Sequence, residues 1–253
     1  MLRRFVVTVL AGLASSLFAA PALAQVNQDE PLPRFEDRLC PGVTGLELEQ
    51  AELMVGRIRS NATRFGLQLA DEASCEPNLL IGFVESGQDY LAQLVADRGH
   101  LFARMNRADR DTLLAQRGPV TVWHQIQQRT RDGLHVGTRE NMTDLPRAGM
   151  WQAHSRIYVP VRNDITYALV LFDRAEVSGL TVAQLADLAS LRGFATAFPD
   201  EAGAEQASLL TLFADPASRA PRLTAFDEAW LERLYSGIPN MPASVRLRGV
   251  QSR

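Results

Sequence analysis

The opening twenty-four residues decide where this chain folds, and that constrains the fold more than any later feature. Arg3 and Arg4 make a short basic start, and Phe5 to Ala20 is almost wholly apolar. Ala22-Leu23-Ala24 then has the small-x-small pattern of a signal-peptidase site. The reading is a signal peptide over 1–24, with Gln25 as the first mature residue and a soluble product that is periplasmic or secreted. The apolar run is shorter than a bilayer crossing needs, and no later window supplies about 18 uncharged apolar residues. No transmembrane segment is therefore expected after cleavage.

Export sets the reading of the two cysteines, Cys40 and Cys75. In an oxidising compartment a lone pair is most simply a disulfide. Two buried free thiols, or one reactive thiol, are the alternatives. No Cys-x-x-Cys occurs, which excludes a thioredoxin-like redox role, and no cysteine at the cleavage point indicates a lipid anchor. Every one of the 26 basic residues is arginine. Phosphate-loop, Schiff-base and Ser-Lys chemistries all need an amine that is absent. Losing Arg3 and Arg4 takes the formal charge from −3 to −5, and no stretch concentrates cations, so no nucleic-acid partner is expected.

Residues 25–38, polar with two prolines, read as a flexible tether. A single α+β domain is expected over 39–240, followed by a loose tail, 241–253. Thr44 and Glu47 form a capping box that opens a helix to about Phe65, with an apolar stripe of Leu46, Leu53, Met54 and Ile58. After a short extended piece at Leu67–Ala70, the run Asn78–Val84 suits a strand buried on both faces. Ser86 with Asp89, and Asn106 with Asp109, open two more helices. Val120 to Ile126 alternates at period two as a strand. Residues 131–150 read as a long surface loop. Ile157–Val161 and Ile165–Phe172 read as a hairpin around Arg162-Asn163-Asp164. Thr181 with Gln184 caps a helix, a further helix is expected at about 202–213, and Thr224 with Asp227 caps the last. The order predicts an α+β fold: one mixed sheet of about five strands with helices packed on it and a helical C-terminal third. There is no G-x-G-x-x-G after a strand, so a doubly wound nucleotide binder is not supported.

The chemistry is defined mostly by what is missing. There is no G-x-S-x-G elbow, no H-E-x-x-H and no calcium loop, so neither cofactor nor metal is assigned. His124 and His154, both on predicted strands, and Asp173, at the end of a buried strand, are the candidates for a dispersed catalytic site. Each also has a plain structural role available: packed strand histidines and a capping aspartate. Asp187 lies one turn into a helix, where the dipole alone favours a carboxylate. Trp123 and Trp151 flank the long loop and are the candidates for a ligand groove, with core packing as the competing role.

Several segments carry a resemblance: Leu39-Cys40-Pro41, Cys75-Glu-Pro-Asn78, Val120-Thr-Val-Trp123, and Ile165–Phe172 followed by Gly179-Leu-Thr-Val-Ala-Gln-Leu-Ala-Asp187. The closing Leu223-Thr-Ala-Phe-Asp227 and Leu234-Tyr235 belong with them. In these the chain resembles uncharacterised exported proteins of alphaproteobacteria, the sphingomonad type in particular, over most of the mature length. The resemblance implies export and a fold, and no activity. More distantly the layout resembles zincin-type metallopeptidases, where a helix following the sheet carries H-E-x-x-H. Here that helix, 181–194, has neither histidine, so the resemblance implies a metal-free relative. Function is accordingly expected to be non-catalytic: an envelope protein binding an unknown partner or small ligand. A periplasmic hydrolase built on His124 or His154 with Asp173 is the alternative.

Overall fold

In the computed structural model, residues 27–136, 159–199, 206–214 and 219–248 are described. The predicted leader lies outside them, as do His154 and Trp151. The run Leu79–Val84 (β2) is the centre of the sheet, and its sequence explains why. It has no polar residue, as a strand covered by helices on both faces requires. β1 (Pro41–Thr44) pairs with it in parallel on one side and β4 (Val161–Asp173) in parallel on the other. β3 (Val120–Thr130) then adds antiparallel to β4, giving the order β1-β2-β4-β3. The fold is α+β with a mixed sheet, with four strands among the described residues.

Alternate residues send their side chains to two separate cores. On one face Leu79, Ile81, Phe83, Ala168, Val170, Phe172 and Val122 meet α1 (Leu48–Arg64), α4 (Val182–Phe194) and α5 (Ala225–Tyr235). On the other, Leu169, Leu171 and Trp123 meet Leu91 of α2 (Gly87–Asp97), Phe102 and Leu113 of α3 (Arg107–Leu114). α4 is buried almost all round, from Leu185 to Leu191 and again at Gly193 and Phe194. Gly193 permits this, because a Cβ there would stand 2.7 Å from Leu79 Cδ1. A disulfide joins Cys40, at the foot of β1, to Cys75, just before β2.

Four helix starts are made as their cap residues predict. The Ser86, Asn106, Thr181 and Thr224 side chains each accept from the N3 backbone N–H. Thr44 does not: it ends β1, and α1 begins at Leu48 behind an N-cap, Glu47, that makes no side-chain bond. Leu53, expected in the buried stripe, is 62% exposed.

Three expectations are corrected. The stretch Arg162-Asn163-Asp164 is not a turn; β4 runs straight through it, opposite Arg129, Gln128 and Gln127. These polar side chains are tolerated in a strand because they have partners there. Asn163 Nδ2 donates to Pro31 O, and Asp164, fully buried, lies between Arg162 and Arg129. Nor is the part of 25–38 that is described, 27–38, a tether. Leu32 and Phe35 are buried, Arg34 pairs with β4 through its backbone, and its guanidinium donates to Leu234 O and Gly237 O. The part of the tail that is described, 241–248, forms α6 (Ala243–Arg246), whose first backbone N–H groups donate to Glu30 O and Gln28 O. Arg246 is buried and Nη1 donates to the carbonyls of Arg233, Leu234 and Ser236, with Nη2 on Ile238 O. A cation is favoured among the exposed carbonyls at a helix C-terminus, here that of α5. Buried arginines thus hold both of these described segments, 27–38 and 241–248, to the end of α5.

Candidate functional site

His124 and Asp173 do not meet. His124 stands opposite Ala168 on β3 and points to the α4 face. Its Nε2 is 3.1 Å from Gly193 O, and burial pushes its pKa down to about 4. The neutral ring therefore spends its N–H on the helix. Asp173 shares its side with Leu171, on the α2 face, and its Oδ1 accepts from Gly87 N at 2.6 Å. It ties the end of β4 to the start of α2. The two residues are on opposite faces and five positions apart along the ladder, about 17 Å at strand rise. A nucleophile or water cannot lie within hydrogen-bond reach of both.

Trp123 is a core residue. It is 4% exposed, with its ring centroid 4.4 Å from Phe102 and 5.8 Å from Tyr167, so it lines no groove. Among the described residues no three His, Cys, Asp or Glu side chains gather where they could hold a metal ion.

What the sequence does not show is that two of its helix-start carboxylates, Asp187 and Asp227, are buried. Asp187 is fully buried on α4. It accepts Arg57 Nε at 2.7 Å and Nη2 at 2.8 Å, Asn61 Nδ2 at 2.8 Å and Leu223 N at 3.2 Å. Asn61 also donates to Ser190 Oγ. This cluster clamps α1 to α4, and it raises the Arg57 pKa through the Asp187 hydrogen bonds. The legible signal was Arg57 and Asn61, four apart on α1 and flanking Ile58. Asp227 is equally enclosed, accepting from Ser208 Oγ, Leu209 N, Thr224 N and Thr224 Oγ1. In both cases the donors already fill the carboxylate, leaving little capacity for substrate chemistry.

The concavity of interest lies elsewhere, at the carboxyl ends of the parallel strands. β1 and β4 both lead to helices on the same face, α1 and α4, whereas β2 leads to α2 on the opposite face. Chain departures diverge on either side of β2, and such switch points open a crevice at the strand ends. Here it has a volume of about 290 Å³. Met54, Phe83, Val177 and Leu185 lie beneath it, with Leu46, Leu180 and Val182 on its walls. Gly45, at φ 84°, lets the β1–α1 turn pass close to β2: a Cβ there would lie 2.4 Å from Phe83 O. The polar lining is Gln50, Ser178 and Arg174. Arg174 Nη2 donates to Phe83 O at 3.0 Å.

Compared with models of known protein families, with curated proteins and with solved structures, the chain matches none. The helix that the zincin resemblance would give a zinc motif, α4, presents Gln184, Asp187 and Ser190 as its buried or capping polar groups.

Proposed function

We propose that this chain is an exported, non-catalytic binding domain that works in the periplasm or outside the cell. The observation that carries the non-catalytic part is the separation of His124 and Asp173 on opposite faces of the sheet, each already committed to a backbone partner. The disulfide supports an oxidising location, and no helix among the described residues is long and apolar enough to cross a membrane. The crevice at the strand ends is the place where such a domain binds, because its walls are apolar and its polar groups few.

Two measurements test this. Purified mature protein is expected to leave peptide, ester and glycoside panels untouched. Turnover that disappears in His124→Ala or Asp173→Asn would overturn the proposal. Mass analysis of the protein recovered from its native cells is expected to show an N-terminus at Gln25 and a mass two hydrogens below that of the dithiol. Intact Met1 with both thiols free would overturn the localisation.

A further inference from the structure

We infer that the crevice binds a short-chain amphiphile with one carboxylate, about eight carbons long, held by its head group on Arg174. The inference rests on the binding-domain reading above and gives it a ligand class. Three observations converge on it. The first is position: the crevice lies beside β2, where β1 and β4 feed one face and β2 the other, and ligands of open sheets collect at such points. The second is lining: seven of its residues, Leu46, Met54, Phe83, Val177, Leu180, Val182 and Leu185, are apolar, which suits an alkyl chain and not a sugar or a phosphate ester.

The third observation is charge. Arg174 is the cation of the lining, and no carboxylate residue lines the crevice with it. Among the described residues Arg174 enters no ion pair, in contrast to Arg57, Arg64, Arg129 and Arg162. One of its nitrogens is fixed on Phe83 O, which orients the guanidinium and leaves its other donors for an incoming carboxylate. Size follows from the volume: about 290 Å³ is some ten water volumes at about 30 Å³ each, room for about ten non-hydrogen atoms. Octanoate has that number.

Calorimetric titration of the full mature protein with octanoate, octan-1-ol and octylammonium tests the assignment below their aggregation concentrations. Saturable one-to-one binding of octanoate is expected, at least tenfold tighter than of the alcohol, with the ammonium not bound. Arg174→Gln is expected to weaken octanoate at least fivefold while leaving the alcohol unchanged. Leu180→Glu, which puts a carboxylate on the wall, is expected to abolish both; an unchanged urea midpoint shows that this variant is folded. Absence of saturable octanoate binding overturns the inference. So does binding that ignores both substitutions, or equal binding of acid and alcohol. None of these results bears on the hydrolysis panels, so the non-catalytic reading stands or falls separately.

Discussion

Replacing Asp187 by asparagine keeps the side-chain shape and removes one acceptor and one charge. The carboxylate is fully buried and takes four hydrogen bonds, two from Arg57 and one each from Asn61 and the Leu223 backbone. The amide has one acceptor oxygen, so its NH2 must face a donor. Breaking a buried ion pair costs about 3–5 kcal/mol when both partners are out of water. Arg57 is 41% exposed at its side chain and can turn to solvent, so the full penalty is not incurred. Asn61 retains Ser190 Oγ. What is lost is a charge-assisted pair of about 1.5–3 kcal/mol together with an orphaned Leu223 N–H of about 1–3 kcal/mol, not fully additive. The expected destabilisation is about 3 kcal/mol. With a urea dependence of about 2–3 kcal/mol per molar, the unfolding midpoint falls by about 1 M. The double variant Arg57→Leu with Asp187→Asn is expected to recover at least about 1 kcal/mol relative to the sum of the singles, since both singles lose the same charge-assisted pair and Arg57→Leu alone leaves the buried carboxylate short of its cation. A midpoint within about 0.2 M of the parent, or strictly additive singles, would refute the clamp.

Three further outcomes are expected. Reducing Cys40–Cys75, a separation of 35 residues, releases a loop whose closure is worth about 4 kcal/mol in the chain-entropy treatment; urea melts with and without reductant read it, and coincident midpoints would contradict it. His124 is held neutral, its folded pKa near 4 lying below the ordinary 6.5, so its contribution is complete above pH 6.5 and is lost as pH falls toward 4. Relative to His124→Gln the parent therefore loses about 2–3 kcal/mol between pH 7 and 4.5, and a difference that does not vary with pH would show the ring to be solvated. Burial pushes the Asp164 pKa upward, which favours the folded state on acidification, so the comparison with the variant, not the parent's profile alone, isolates His124. Arg246→Met removes the donor to four carbonyls while keeping the apolar stem; a loss of about 3 kcal/mol, or about 10 °C in Tm for a chain of this size, is expected, and an unchanged melting curve would show that 241–248 is not held by this clamp.

What was legible in the sequence was local. Ser86, Asn106, Thr181 and Thr224 cap helices because a hydroxyl or amide beside its own N3 position needs no tertiary partner. The strand Leu79–Val84 announced its central place because every side chain in it is apolar or glycine. Thr44–Glu47 carried an equally good local cap pattern and was overruled. Pairing of Pro41–Thr44 with β2 extends the backbone through Thr44, and Gly45, where the first helical residue would fall, stands at φ 84°, outside the helical region. Patterning alone has no way to weigh that competition.

The failures share a cause, and it lies in the arginines. Segment 27–38 looks solvated because it is mostly polar with two prolines, and 241–248 because it opens on Met-Pro and carries two arginines, yet Arg34 and Arg246 are 6% and 1% exposed. Burying a guanidinium is tolerable only where carbonyls or carboxylates surround it. Both donate to carbonyls around the end of α5, about 200 positions from Arg34 in sequence, and Arg34 Nε also pairs with the Glu36 carboxylate. The same holds at Arg162-Asn163-Asp164, which reads as a turn until Pro31, Glu36 and Arg129 are brought beside it. Burial of Arg246 drives its pKa down to about 10, still above any working pH, so this clamp stays charged. With no lysine in the chain, each buried cation has the planar fork that can serve several carbonyls at once. An Arg34→Lys or Arg246→Lys exchange therefore keeps the charge but forfeits most of the clamp, and each is expected to destabilise nearly as much as the neutral methionine. A lysine variant as stable as the parent would show that charge at the end of α5 suffices, and that the planar geometry of the clamp contributes nothing.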